Sequence, residues 1–433
     1  PLNAIIGFSD ILCESNINAE EKENAKIISR SAKSLLNIIN DVLDISKMEN
    51  GKFQLEETEF SLFNLTEHIV ELFSINIKDK GIKFIYTVDP HIPEVIISDP
   101  FRLQQVLSNL LSNAIKFTPE NGKVYFEIKV IEENDKNVKI NFIIKDTGIG
   151  ISKEQEELIF KPFSQADSGI TRKFGGTGLG LAICLDIVSM LNSKIQIKSE
   201  LNKGSEFSFI VDFEIGKSLD ENIKRNDINF AITEYFDDED NIKVIVRNYL
   251  EKIGSVYELP EALSKKIDIF FCFDSQNLLI TLIKFKEYNP NSKIVYIGEK
   301  NSLDKAAYSY VDYYLDLPIY GSKIYNIIAD NSTINKNVLN KSSSFESLKG
   351  DVLVAEDNPN NQKLIEILLS KIGLNAILVA NGQEAIDMYK KRKFDLILMD
   401  INMPIVDGIH ATKSIREIEN DYYKIPIIAL TAN

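Results

Sequence analysis

The 433-residue chain is short of cysteine, of basic charge and of long apolar runs. Its three cysteines, Cys13, Cys184 and Cys272, lie far apart without metal-ligand spacing. That excludes a cysteine-held metal and predicts reduced, buried thiols in a cytosolic chain. No apolar run approaches the roughly 18 residues that a membrane helix needs. Lys and Arg total 49 against 64 Asp and Glu, a net charge of −15. Such a surface repels a phosphate backbone, so no nucleic-acid partner is expected. No signal peptide precedes the first helical pattern, and the chain opens at Pro1. Both ends read as cuts from a longer protein. The expected location is therefore cytoplasmic, with any inner-membrane anchor or sensor carried by upstream segments.

What is present is an ordinary globular balance, 44% hydrophobic and 26% charged. At roughly 150 residues per domain the length suggests about three domains. Residues 1–50 read as two helices. In the second, Ile28, Ala32, Leu35, Ile39 and Val42 recur at helical spacing. Two such short amphipathic helices cannot bury these faces alone. A hairpin that dimerises into a four-helix bundle is one solution, and a hairpin packed on its own globular domain is the other.

Residues 55–215 mix strand and helix patterns. Strands are expected at 83–88, 123–131, 138–146, 194–200 and 205–213, and helices near 62–80, 99–116, 153–159 and 178–191. This grouping predicts an α/β two-layer sandwich. Residues 226–333 and 350–433 each alternate strand with helix, which predicts parallel sheets covered on both faces. DLILMD (395–400) echoes DIFFCF (268–273), so the two blocks read as a decayed repeat. The serine-rich stretch between them reads as a linker. The expected organisation is a hairpin over 1–52, a sandwich over 55–216, a first α/β block over 226–333, a linker over 334–349 and a second α/β block over 350–433.

Three segments of the sandwich suit a nucleotide. NLLSNAIKF places Asn109, Asn113 and Lys116, with Phe117 following, on one apolar helix. Amide oxygens suit a hydrated Mg²⁺ and an ammonium suits phosphate. KDTGIGIS ends a strand in Asp146, beside Gly148 and Gly150, where a carboxylate can accept from an exocyclic amine. GGTGLGLAIC opens a helix after Gly176, Gly178 and Gly180, offering backbone N–H groups to phosphate. Each segment alone is a weak signal, since a glycine loop before a helix is more often a tight turn.

The ordered triple resembles the N, G1 and G2 boxes of histidine-kinase-type ATP-binding domains. IFKPFSQAD (159–167) is similar to that family's F box, and GSEFSF, which contains Ser205, to its terminal strand. The resemblance implies ATP as the nucleotide, Asp146 on the adenine amine, Asn109 and Asn113 organising Mg²⁺, and Lys116 on phosphate. It also implies a lid over 164–177. ATP hydrolases of the same superfamily carry a general-base Glu where this chain has Asn109, which cannot accept a proton. ATP should therefore donate its phosphoryl group to a protein nucleophile and not to water.

PLNAIIGFSDIL resembles the segment after the phospho-accepting histidine of kinase dimerisation domains, with Pro1 as the proline of His-Glu-x-x-x-Pro. The histidine itself would lie upstream. His68, His91 and His410 all lack a following Glu and a proline five residues on, so none replaces it.

In residues 350–433 one strand ends in Glu356 and Asp357, another in Asp400, and a third at Thr431. Three carboxylates at adjacent carboxyl ends of a parallel sheet require a hard cation among them. The pattern resembles a response-regulator receiver, a flavodoxin-like fold. That implies Asp400 as phosphoacceptor, Mg²⁺ held by Glu356, Asp357, Asp400 and the Asn402 carbonyl, and Thr431 as the switch hydroxyl. The last strand and helix of such a fold fall beyond the chain. The first α/β block resembles a receiver without chemistry. Phe273 takes the acceptor position, Asp274 is one residue late, and Thr233, Glu234 and Tyr235 stand near the acidic pair. Gly298 and Leu317 replace the threonine and lysine. It is expected to serve as a structural or docking domain.

Together these resemblances imply a hybrid sensor histidine kinase with a homodimeric hairpin and a downstream phosphotransfer or response-regulator partner. The alternative is a non-catalytic nucleotide-binding scaffold that signals through protein docking.

Overall fold

The computed structural model describes residues 2–15, 17–49, 54–156, 158–161, 178–217, 228–233, 241–275, 277–298, 302–331, 348–419 and 424–430. Two helices, α1 (Leu2–Glu14) and α2 (Ala19–Glu49), form the hairpin. Small residues are buried on both helices: Ala4 and Ser9 on α1, and Ala25, Ser29 and Ala32 on α2. Ser29 Oγ donates to Asp10 Oδ1 at 2.6 Å, and Lys33 Nζ joins the same carboxylate. Of the expected seam, Ala32 is buried. Ile28, Leu35, Ile39 and Val42 remain exposed. Cys13 is half-buried and not buried as expected, because it sits on this thin hairpin; Cys184 and Cys272 are buried.

The second region begins with β1 (Thr58–Phe60), α3 (Leu62–Asp79), β2 (Lys83–Val88), β3 (Ile96–Ser98) and α4 (Pro100–Phe117). It continues through β4 (Lys123–Glu133), β5 (Asn137–Asp146), α5 (Lys153–Glu156), α6 (Gly180–Met190), β6 (Gln196–Glu200) and β7 (Gly204–Ile215). The seven strands make one mixed sheet ordered β1-β3-β7-β5-β4-β2, with β6 also paired to β7. Only β2 and β4 run parallel. Helix α4 starts where Pro100 follows Asp99, whose side chain accepts from the Arg102 N–H. Its apolar face, Leu103, Val106, Leu107, Leu110 and Leu111, packs with Ile183 and Ile187 of α6 on Phe126, Phe142 and Phe209 of the sheet. Helix α5 is described over Lys153–Glu156, inside the expected span; Glu157 lies outside the described residues.

The next region comprises β8 (Asn229–Ile232), α7 (Ile242–Glu251), β9 (Ser255–Glu258), β10 (Ile269–Phe273), α8 (Leu278–Tyr288), β11 (Lys293–Ile297), β12 (Tyr313–Leu315) and α9 (Gly321–Asn331). Its sheet is parallel throughout, in the order β12-β11-β10-β8-β9. Alternate residues bury into opposite layers: Phe271 and Phe273 into one, Phe270 and Cys272 into the other. One of these layers also takes in Ile85 of the β2 edge strand and Tyr125. Tyr320 packs on Tyr86 with ring centroids 5.9 Å apart, and the Ser322 N–H donates to Glu67 Oε1 at 3.1 Å.

The final region holds β13 (Asp351–Ala355), α10 (Pro359–Lys371), β14 (Asn375–Val379), α11 (Gly382–Lys391), β15 (Leu396–Asp400), α12 (Gly408–Ile418) and β16 (Ile427–Leu430). The strands are parallel, ordered β14-β13-β15-β16. Asn358, Asn381 and Asp407 cap the three helices with their side chains. Among the described residues no helix is long and apolar enough to cross a membrane.

Candidate functional site

Asp146 ends β5 in a nearly closed position, 6% exposed. Its Oδ1 accepts from the Gly148 N–H at 2.7 Å and from the Ser205 N–H at 3.3 Å. Among the described residues Oδ2 has no partner. Burial raises the carboxyl's pKa, and the two amide bonds oppose that rise. The backbone around it leaves no room for side chains. Gly204 has φ +108°, and a Cβ there would lie 1.9 Å from the Asp146 carbonyl oxygen. The pocket floor is further tied by Ser199, whose Oγ accepts from the Ile151 N–H at 2.8 Å and bonds Ser205 Oγ at 2.9 Å. Sequence reading missed Ser199, because nothing in KIQIKSE distinguishes it from any exposed strand serine.

Asn109, Asn113 and Lys116 are half-buried on α4. Asn109 Nδ2 approaches the Gly180 carbonyl at 3.5 Å, joining α4 to the start of α6. Lys116 lies over the Phe117 ring at 4.8 Å, and burial lowers its pKa. Gly178 adopts φ +73° just before α6, and Gly150 has φ +66°. Gly176, the lid at 164–177 and most of the 159–167 segment lie outside the described residues.

In the last region Glu356, Asp357 and Asp400 each place a carboxylate oxygen within 4.8 Å of the others. The pairing of Ala355 with Met399 sets the strand ends level, so both acids of the first strand face the end of the second. Glu356 is buried; its Oε1 accepts from Asn361 Nδ2 at 2.9 Å and from the Asn358 N–H at 3.2 Å. Asn361 was also missed, being one amide among several in NPNNQ. The Asn402 N–H bonds Asp400 Oδ1 at 3.3 Å. Three carboxylates held this close by backbone position are a donor set for a hard divalent ion. Thr431 lies outside the described residues.

The first α/β region has no such set among its described residues. Phe273 pairs with Ile297 as Asp400 pairs with Leu430, so Phe273 holds the register of Asp400. It is buried, and its N–H donates to Thr233 Oγ1 at 3.1 Å. Asp274 is exposed beyond the strand. Glu234 and Tyr235 are outside the described residues.

Comparison with known proteins places these parts in families. Residues 98–215 match the histidine kinase-, DNA gyrase B- and HSP90-like ATPase family. Residues 352–433 match the response regulator receiver domain, and residues 1–51 the His Kinase A phospho-acceptor domain. The chain thus carries phospho-acceptor, histidine kinase-like ATPase and receiver parts in the order of a hybrid sensor histidine kinase. It is 30% identical to the signal transduction histidine-protein kinase BarA of Escherichia coli K12, over 100% of this chain and 48% of that protein. To the sensor protein GacS of Pseudomonas syringae pv. syringae it is 29% identical, over 100% of the chain and 50% of the relative. It thus spans about half the length of these relatives. The crystal structure of full-length ShkA with AMPPNP is similar at TM-score 0.57 and 25% identity, covering 100% of this chain and 90% of that one.

Proposed function

We propose that this chain is the kinase and receiver portion of a hybrid sensor histidine kinase working in a phosphorelay. ATP bound between Asp146 and α4 phosphorylates a histidine of a dimeric helical bundle, and the phosphoryl group passes to Asp400. The observation that carries this reading is Asp146: a buried carboxylate pinned through one oxygen, with the other unpartnered among the described residues. That oxygen suits an amine donor such as the adenine amino group. The proposed domains are those expected from the sequence, 1–52, 55–216, 226–333 and 350–433, with a linker at 334–349.

The residues divide the work. Asp146 and the glycines at 148, 150, 178 and 180 orient the base and admit the phosphates, while Asn109, Asn113 and Lys116 stand along the phosphate end, with Phe117 closing the helix. Gly176 and Ser205 complete the nucleotide set, Ser205 by holding Asp146. Glu356, Asp357 and Asp400 fit Mg²⁺, which would offset their mutual repulsion and the charge on an incoming phosphoryl group. Asp400 Oδ forms the new P–O bond as the P–N bond to the histidine breaks, and the imidazole leaves neutral once protonated. Thr431 would respond to the product. Leu364 of α10 lies against Gly7 of α1, where a Cβ would meet it at 2.5 Å, which favours hairpin and receiver acting on each other. The exposed stripe of α2 supports a homodimer, and a response-regulator or phosphotransfer protein is the proposed onward partner.

The test is calorimetric titration with Mg·AMPPNP, beside label transfer from a phosphorylated histidine donor to the chain. Binding weakened about 30-fold in Asp146→Asn, with transfer lost only in Asp400→Asn, supports the reading. Absence of nucleotide binding by the folded wild type removes it.

A further inference from the structure

A helix leaves its last carbonyls without intrahelical partners. At the end of α4 the carbonyls of Ala114, Ile115 and Lys116 all find donors. The Ala114 carbonyl accepts the N–H and the hydroxyl of Thr118, at 3.1 and 2.6 Å. The carbonyls of Ile115, Lys116 and Thr118 all accept from one ammonium, Lys80 Nζ, at 2.8, 2.9 and 2.9 Å. An ammonium has three donors, and all three are used. A cation there also complements the negative end of the helix dipole.

The remaining carbonyl, that of Phe117, abuts the adenine-side loop. A Cβ on Gly148 would lie 2.6 Å from the Phe117 oxygen. Gly148 is the residue whose N–H holds Asp146. Lys80 is itself anchored. Its N–H closes α3 on the Asn76 carbonyl at 3.3 Å, and its carbonyl accepts from the Asn121 N–H at 3.1 Å. It belongs to none of the nucleotide boxes and lies 36 residues before Lys116 in sequence.

We propose that Lys80 is a positioning residue for the nucleotide site. It fixes the end of the helix carrying Asn109, Asn113 and Lys116 against the loop carrying Asp146, and so sets the span between phosphate end and adenine end. The inference rests on the nucleotide reading above and adds to it a residue that acts only through others.

Lys80→Met keeps the aliphatic stem and removes the donors, whereas Lys80→Arg keeps donors at the same place. In the full chain, Lys80→Met should weaken Mg·AMPPNP binding about tenfold, as when only a tenth of molecules hold a competent helix end. Lys80→Arg should restore most of that loss. Amide exchange should rise in Lys80→Met at residues 114–118 and 148, stay unchanged at 103–110, and recover in Lys80→Arg. If wild type binds nucleotide and Lys80→Met binds equally well, the proposal is overturned. Exchange that rises throughout the domain, or binding that Lys80→Arg fails to restore, overturns it too. If wild type binds no nucleotide, the site reading fails separately. The exchange pattern then decides on Lys80, and unchanged protection at 114–118 and 148 rejects it.

Discussion

The backbone N–H of Ser205 reaches Oδ1 of Asp146 at 3.3 Å across two neighbouring strands, 59 residues apart in sequence. The bond fixes which oxygen is left for a ligand. Asp146→Asn should raise the Kd for Mg·AMPPNP roughly 30-fold, the cost of a buried charge-assisted hydrogen bond. The same change should not destabilise the unliganded domain. Burial raises this carboxyl's pKa, so ionisation costs stability as pH rises through the raised value. Melting scans without nucleotide should place the variant at or above wild type at pH 7.5, with the gap closing on acidification. Conversely, wild-type nucleotide affinity should fall on acidification at a higher pH than an ordinary carboxylate would dictate.

Asn361 donates to the buried Glu356 and so orients one acid of the receiver group. Removing that support in Asn361→Ala should weaken Mg²⁺ binding about tenfold, the usual scale for a ligand's supporting partner. Calorimetry or Mn²⁺ resonance would measure it. Nucleotide binding should not change, since α10 carries none of those residues.

Leu35 and Ile39 lie on α2 with more than a third of their surfaces open, in line with Ile28 and Val42. A charge introduced there costs little in a monomer and much in an apolar interface. Leu35→Asp with Ile39→Asp should convert the dimer to monomer by light scattering, with little loss of helical signal. A wild-type chain already monomeric at micromolar concentration would contradict the bundle.

Phe273 holds the register of Asp400 in the first α/β region but is fully enclosed. Phe273→Asp should therefore unfold that region instead of creating an acceptor, because the carboxylate would be buried without a partner. Phe273→Ala should cost about 3–5 kcal/mol in chemical denaturation. Appearance of Mg²⁺-dependent label on Asp274 in wild type would contradict the structural or docking role expected of this region.

Much of this was legible in the sequence because strands and helices announce themselves by period. Alternation in KVYFEIKVI and the heptad-like run in NLLSNAIKF give their elements within a few residues of the observed ends. The acids at 356, 357 and 400 were legible for the same reason: each ends an apolar run, and parallel strands bring such ends together. Ser199, Asn361 and Lys80 were not legible. Their roles depend on which backbone groups lie near them in space, and a lone serine, amide or lysine carries no periodic signal.

The sequence by itself determined the fold types, the order of the Asn, Asp and Gly segments at 109–116, 146–150 and 176–180, and the phenylalanine where the second α/β region has Asp400, since residue type and order fix these. Only the tertiary structure decided which face of the hairpin is used internally. There Ser29 of α2 bonds Asp10 of α1, and the bulky Ile and Leu stripe is left outside. It alone decided that Asp146 offers a single oxygen, because Gly148 and Ser205 converge on the other. The meeting of Lys80 with the end of α4 was likewise settled in three dimensions, where a helix's orphan carbonyls must find donors wherever the fold supplies them.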